Sequence, residues 1–152
     1  MSDDATFEPI NRESSQRMFG PRAILLCGFT SNEQDRIAKI LEDFESLPFS
    51  VACEGDEKQP VGDLLTRPHE TGLGDQTDLP RLVLLSGLTQ QELHLVMGAF
   101  RESDLPRPMW AALTPTSATW TLEALLEELD AERRAMAQAR NRPSQPSQET
   151  EG

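Results

Sequence analysis

The chain uses one twelve-residue pattern twice. Residues 22–33 read R-A-I-L-L-C-G-F-T-S-N-E and residues 81–92 read R-L-V-L-L-S-G-L-T-Q-Q-E. Arg22 aligns with Arg81, Gly28 with Gly87, Thr30 with Thr89 and Glu33 with Glu92, all at an offset of 59. Each copy describes an apolar strand, a glycine turn and a Thr-x-x-Glu capping box that opens a helix. A chain that places its most apolar segments in two strand–turn–helix units points to a sheet of such units packed with helices, α/β or α+β. The strands are apolar at consecutive positions, which predicts burial on both faces.

The segments after each copy extend the pattern. Ile37, Ile40, Leu41 and Phe44 recur at helical spacing opposite Arg36, Lys39, Glu42 and Asp43, and F-S-V-A-C (49–53) reads as a second strand. In the second copy a helix is expected over 90–103 and a strand over 109–114 (M-W-A-A-L-T). A third helix, over 121–138, places Leu122, Leu125, Leu126 and Leu129 opposite Glu123, Glu127, Glu128 and Asp130. The domain plan is a flexible arm (1–20), pinned at Phe7, Ile10, Met18 and Phe19, one α/β domain (21–138) and a disordered tail (139–152). Inside the domain, repeats 22–53 and 81–114 flank a linker, 54–80. Within the linker, 59–67 is expected to form a helical turn carrying Val61, Leu64 and Leu65, and T-G-L-G-D-Q-T-D to form a mobile loop.

Two βαβ units and a final helix fit two architectures. One is a parallel, doubly wound four-stranded sheet of order 2-1-3-4; the other is a ferredoxin-like α+β sandwich of order 4-1-3-2. Both put the first and third strands at the centre. The lack of alternation in those strands favours the parallel sheet, because an antiparallel sheet with one wet face should alternate.

A formal net charge of −12 argues against nucleic acid and against direct docking on an anionic membrane. The linker alone carries seven acids against Lys58 and Arg67. The two cysteines, Cys27 and Cys53, lie in apolar runs without a Cys-x-x-Cys partner, as expected of reduced, buried thiols. The N-terminal M-S-D-D-A-T-F-E-P is not a secretory signal, and no apolar run reaches membrane-spanning length. These features predict a soluble cytoplasmic protein, or a stromal one in a plastid-bearing source, with no membrane insertion of its own.

Catalytic signals are weak. In a doubly wound sheet a ligand would sit between Cys27-Gly28-Phe29 and Ser86-Gly87-Leu88, at the switch point. No Lys or Arg follows either glycine, and both read as turn residues. The run before Gly87 resembles a response-regulator receiver, but Ser86 stands at the phosphoacceptor position and Cys27-Gly28 where magnesium-binding acids belong. His69 and His94 lack metal-ligand spacing, and Cys27 lacks a basic neighbour in sequence. Neither an enzymatic activity nor a cofactor or metal is predicted.

Interaction signals are stronger. From 93 to 100 the second helix reads L-H-L-V-M-G-A-F, without charge, and carries apolar area beyond its core stripe. Trp110 and Trp120 bracket the loop T-P-T-S-A-T-W, each as a core staple or as an interface anchor. The candidate interaction surface is Leu95, Met97, Gly98, Trp110, Thr114, Pro115, Thr116 and Trp120.

Three segments together, Q-P-V-G-D-L-L (59–65), L-V-L-L-S-G-L-T-Q-Q-E-L-H and L-P-R-P-M-W-A-A-L-T-P-T-S-A-T-W-T-L-E-A-L-L-E-E-L (105–129), resemble a bacterial family of unknown function with longer cyanobacterial and plastid forms. The resemblance covers 22–136, and L-T-P-T-x-x-x-W-T-L is its most specific part. Its phototroph branch is associated with photosystem I assembly. The resemblance therefore implies an assembly or accessory factor that binds protein partners, with a membrane-complex assembly intermediate among them and peripheral thylakoid placement through that partner. The alternative is a small-ligand or receiver-like regulatory domain without a phosphoacceptor. The oligomeric state is left open.

Overall fold

The computed structural model describes residues 17–44 and 47–140. The order is β1 (Ala23–Cys27), α1 (Ser31–Leu41), β2 (Phe49–Val51), a 3₁₀ turn (Asp56–Lys58), α2 (Val61–Leu64), β3 (Leu82–Ser86), α3 (Gln90–Glu102), β4 (Met109–Ala112), a second 3₁₀ turn (Ser117–Thr119) and α4 (Leu122–Arg140). Residues 1–16 of the expected arm (1–20) and 141–152 of the expected tail (139–152) lie outside the described residues, and residues 139–140 belong to α4. Residues 17–20 are docked: the Met18 N–H donates to the Leu88 carbonyl and Met18 packs on the core, whereas the Phe19 side chain is exposed.

The four strands form one sheet of order β2-β1-β3-β4, as the α/β reading expected. Its direction is a correction. The outer pairs β1–β2 and β3–β4 are parallel, but the central pair β1–β3 is antiparallel. Burial of both strand faces reports that both are covered, and says nothing of direction. Here α1 and α3 cover one face, with Ile24, Leu26, Ile37, Val83, Val96 and Phe100 in that layer. The short α2 and the long α4 cover the other, with Leu25, Leu84, Val61, Leu64, Leu122 and Leu126. Both faces are therefore dry in a mixed sheet.

The register of the central pair shows the symmetry. Leu25 pairs with Leu84, its own equivalent at the offset of 59, so an approximate two-fold axis passes between them. The repeat is also longer than the strand–turn–helix pattern. Each half runs strand, helix, strand, 3₁₀ turn, helix, and the linker segment 56–64 is the counterpart of 117–125. The offset grows to 61 there because α3 has 13 residues against 11 in α1. The axis is stitched a second time by reciprocal bonds: the Val61 N–H donates to the Trp120 carbonyl (2.9 Å) and the Leu122 N–H to the Gln59 carbonyl (3.0 Å).

The acidic connector after α2 is anchored, contrary to the expected mobile loop. Gln34, fully buried on α1, donates through Nε2 to the Phe29 and Asp75 carbonyls (2.9 and 2.6 Å), and its Oε1 accepts the Gly74 N–H (2.6 Å). Leu93 takes the equivalent place in α3 and packs against apolar side chains.

Candidate interaction site

The duplicated residues form a latch between the halves. Each Glu closes the capping box of its own helix, Thr30 with Glu33 and Thr89 with Glu92. Each also receives the arginine of the other copy: Arg22 reaches Glu92 at 2.6 Å and Arg81 reaches Glu33 at 3.3 Å. Burial pushes both carboxyls up. The capping N–H and the arginine oppose it and win, so Glu33 and Glu92 are held below their ordinary value. The arginine precedes its strand and the glutamate follows it, so the two meet only where strand starts lie beside strand ends, as in an antiparallel pair. Gly28 and Gly87 make room for this: both have positive φ (81° and 68°). A Cβ on Gly28 would strike the Leu79 and Pro80 carbonyls, and one on Gly87 the Gly20 carbonyl.

The same geometry removes the twin-site crevice. In an antiparallel pair, with Ala23 opposite Ser86 and Cys27 opposite Leu82, the two glycine turns lie at opposite ends of the sheet. Ser86 is buried against Gly20, and its hydroxyl has no hydrogen-bond partner among the described residues. Burial, with smaller contributions from Asp56 and Glu57, raises the Cys27 thiol to about 12. Burial and the bond to Asp75 raise Cys53 to about 11. Both are protonated at neutral pH and poor nucleophiles. Among the described residues, no group of three or more His, Cys, Asp or Glu is placed to hold a metal ion. No helix there is long and apolar enough to cross a membrane.

The eight residues singled out from sequence do not form one patch. Leu95 is exposed on α3 (54%). A Cβ added at Gly98, on the same helix, would meet only Arg101 Nη2, at 3.9 Å. Met97 and Trp110 share a groove, and Trp110 stands edge-on to Phe100 with ring centroids 5.1 Å apart. Trp120 packs on the opposite layer. Thr114, Pro115 and Thr116 follow β4 in the turn before α4, where Thr114 and Ser117 exchange hydrogen bonds of 3.0–3.1 Å. That turn repeats the one in the first half, where Asp56 accepts the Cys53 N–H at 2.7 Å. The P-T-S-A-T-W loop therefore builds the scaffold, and Trp120 does so through its carbonyl.

The halves differ most at the two sheet edges. Phe49 and Trp110 are equivalent, since they pair with Ile24 and Val83; Val51 and Ala112 are equivalent through Leu26 and Leu85. In each edge strand these residues turn their main-chain groups outward. On β2 all four groups are satisfied. The Phe49 N–H donates to His69 Nδ1 (3.2 Å) and its carbonyl accepts the Glu70 N–H (2.6 Å). The Val51 N–H donates to the Thr71 carbonyl (2.7 Å), and the Val51 carbonyl accepts from Arg67 Nη2 (3.1 Å). The His69 ring stands edge-on to Phe49 at 5.1 Å. On β4 the Trp110 and Ala112 groups have no partner among the described residues.

This edge, unpaired among the described residues, lies between two grooves. One, of about 550 Å³, is of mixed character and sets Met97, Leu105 and Trp110 beside Arg101, Asp104 and Arg107; the other, of about 250 Å³, is mainly apolar and contains Met109, Leu129 and Met136. Met136 is 62% exposed. Sequence reasoning found Met97 and Trp110 but missed Leu129, Met136 and the flanking arginines. The signal was present: a sheet with order 2-1-3-4 leaves two edges, and only the first is followed by a long connector able to cover one.

The fold and this edge define a duplicated α/β domain with one sealed and one open strand. The family described as Domain of unknown function (DUF3783) matches residues 81–136, which span β3 to α4, the second half. No curated protein and no solved structure matches the chain.

Proposed function

We propose that this protein is a non-catalytic interaction module, an assembly or accessory factor that engages a protein partner through the open β4 edge and the adjoining outer face of α3. The observation that carries the reading is the inequality of two symmetry-related edges. The first half seals its edge with its own connector, while the second leaves the outward groups of Trp110 and Ala112 without a partner among the described residues, between one mixed and one mainly apolar groove. Unpaired strand edges are normally blunted, because they recruit other strands. Retention of such an edge beside Met97, Met109, Leu129 and Met136 supports a docking role. Leu95 extends the same apolar character along α3. The P-T-S-A-T-W loop drops out of the proposed contact surface. The sequence resemblance adds photosystem I assembly intermediates as one client to test.

The test places a photo-cross-linking residue at Leu95, at Met136 and, as a control, at exposed Glu127 in the full chain, and compares the adducts formed in lysate of the source cells. The reading expects Leu95 and Met136 to give one shared partner that Glu127 does not give. Equal yields at all three positions would refute it, and adducts lacking photosystem I subunits would remove that client.

A further inference from the structure

We infer that the β4 edge accepts an extended, acidic segment of a partner protein by strand addition, in the manner in which residues 67–71 already dock on β2. The inference rests on the interaction reading and names the partner's chemistry.

The first half supplies an internal template. Its edge residues Phe49 and Val51 are met by the main chain of Glu70 and Thr71 and by the His69 and Arg67 side chains. The second half has the same outward groups on Trp110 and Ala112, the same aromatic position, and no counterpart of residues 67–71 among the described residues. An incoming strand would regain there the main-chain bonds that the connector provides on β2.

Charge selects the occupant. The position equivalent to Glu42, beside the sealed edge, is Arg101 beside the open one. Arg107 joins Arg101 in the Trp110 groove, and Arg133 and Arg140 line the groove on the other side of β4. Asp104 and Glu132 are the acids in these linings, so four arginines face two carboxylates on a chain of net charge −12. Arg133 is engaged by Asp130 at 2.6 Å, while Arg101, Arg107 and Arg140 have no ion-pair partner among the described residues. A second copy docked edge to edge would bring these arginines against each other, whereas a carboxylate-bearing strand would find partners on both sides.

The experiment selects octapeptides from a randomised display library on the full-length protein, then titrates synthetic hits while following backbone amide shifts. Hits rich in Asp and Glu are expected, with the largest shifts at Trp110 and Ala112. N-methylation of alternate peptide amides should abolish binding. The folded double variant Arg101→Glu/Arg107→Glu should weaken it about tenfold or more, with a smaller effect at high salt. Hits without acids, shifts centred elsewhere or indifference to N-methylation would overturn the inference. So would a concentration-dependent dimer protecting residues 110–112, which would make a second copy the occupant. If no acidic peptide binds while the Met136 cross-link persists, strand addition fails and the interaction reading stands; if the Leu95 and Met136 probes also match the control, both fail.

Discussion

Replacing Gln34 with leucine makes the first half like the second, where Leu93 occupies the equivalent place. Gln34 is the one fully buried polar side chain on α1, and it makes three hydrogen bonds of 2.6–2.9 Å, two of which tie the connector to the helix while the third holds the Phe29 carbonyl. Each bond contributes about 1 kcal/mol net, so their loss costs about 3 kcal/mol. The leucine regains about 1 kcal/mol by apolar transfer. The Gly74 and Asp75 groups recover water only if the connector lifts away. The expected net loss is about 2 kcal/mol, which lowers a urea midpoint by about 1 M at an ordinary m-value. The loss should also be local. Amides of residues 72–76 should exchange about 30-fold faster if the opening free energy falls by that amount, while amides of β1 and β3 follow global stability. Urea unfolding by circular dichroism and native-state hydrogen exchange measure the two parts. A midpoint within about 0.2 M of the parent, with the connector equally protected, would show that Gln34 fills space and does not hold the connector.

Two further outcomes follow from the latch. Glu33 and Glu92 titrate below their ordinary 4.5, so their contribution is full above that value and is lost as pH falls through the folded value; Glu33→Gln/Glu92→Gln should lower stability by about 1–2 kcal/mol at pH 7 and flatten the acid limb, read by thermal melts from pH 7 to 3. Gly28→Ala and Gly87→Ala should each cost about 2 kcal/mol or more through positive φ and backbone collision, whereas Gly98→Ala, with open space around it inside α3, should stabilise by about 0.5–1 kcal/mol; calorimetry reads all three signs.

The local grammar of the chain was legible because it depends on neighbours in sequence. The Thr30–Glu33 and Thr89–Glu92 boxes, the helix starts, the four strands and the helical turn carrying Val61, Leu64 and Leu65 all follow from spacing alone, whereas spacing left the strand order open between 2-1-3-4 and 4-1-3-2. Strand direction was not legible from apolar runs, because Leu25 and Leu84 are buried on both faces whichever way they run. The information lay instead in the charges. Arg22 and Arg81 begin the repeats, Glu33 and Glu92 end them, and neither arginine has an acid within its own copy's strand. Such a pair is complementary only to its twin, which calls for the antiparallel arrangement. Likewise Q-P-V-G-D-L-L and W-T-L-E-A-L-L are counterparts. The offset of 61, produced by two extra residues in α3, hides them from a search at 59.

Symmetry then separates scaffold from function more sharply than motif strength does. The most distinctive segment of the second half, from Thr114 to Trp120, repeats a turn that the first half builds with Cys53 and Asp56, so its residues are explained by folding. What folding leaves unexplained is the set of positions where the halves diverge although their backbones agree. Gln34 and Leu93 diverge because only the first half has a connector to hold. Glu42 and Arg101, and Val51 and Ala112, diverge where that connector covers one edge and nothing described covers the other. A duplicated domain free of any docking demand could seal both edges alike or charge both with the same sign. Here one edge is covered by residues 67–71 of the connector, and the other, uncovered among the described residues, is flanked by grooves lined by four arginines on an otherwise acidic molecule. That asymmetry is the ground on which we propose β4 as the working face.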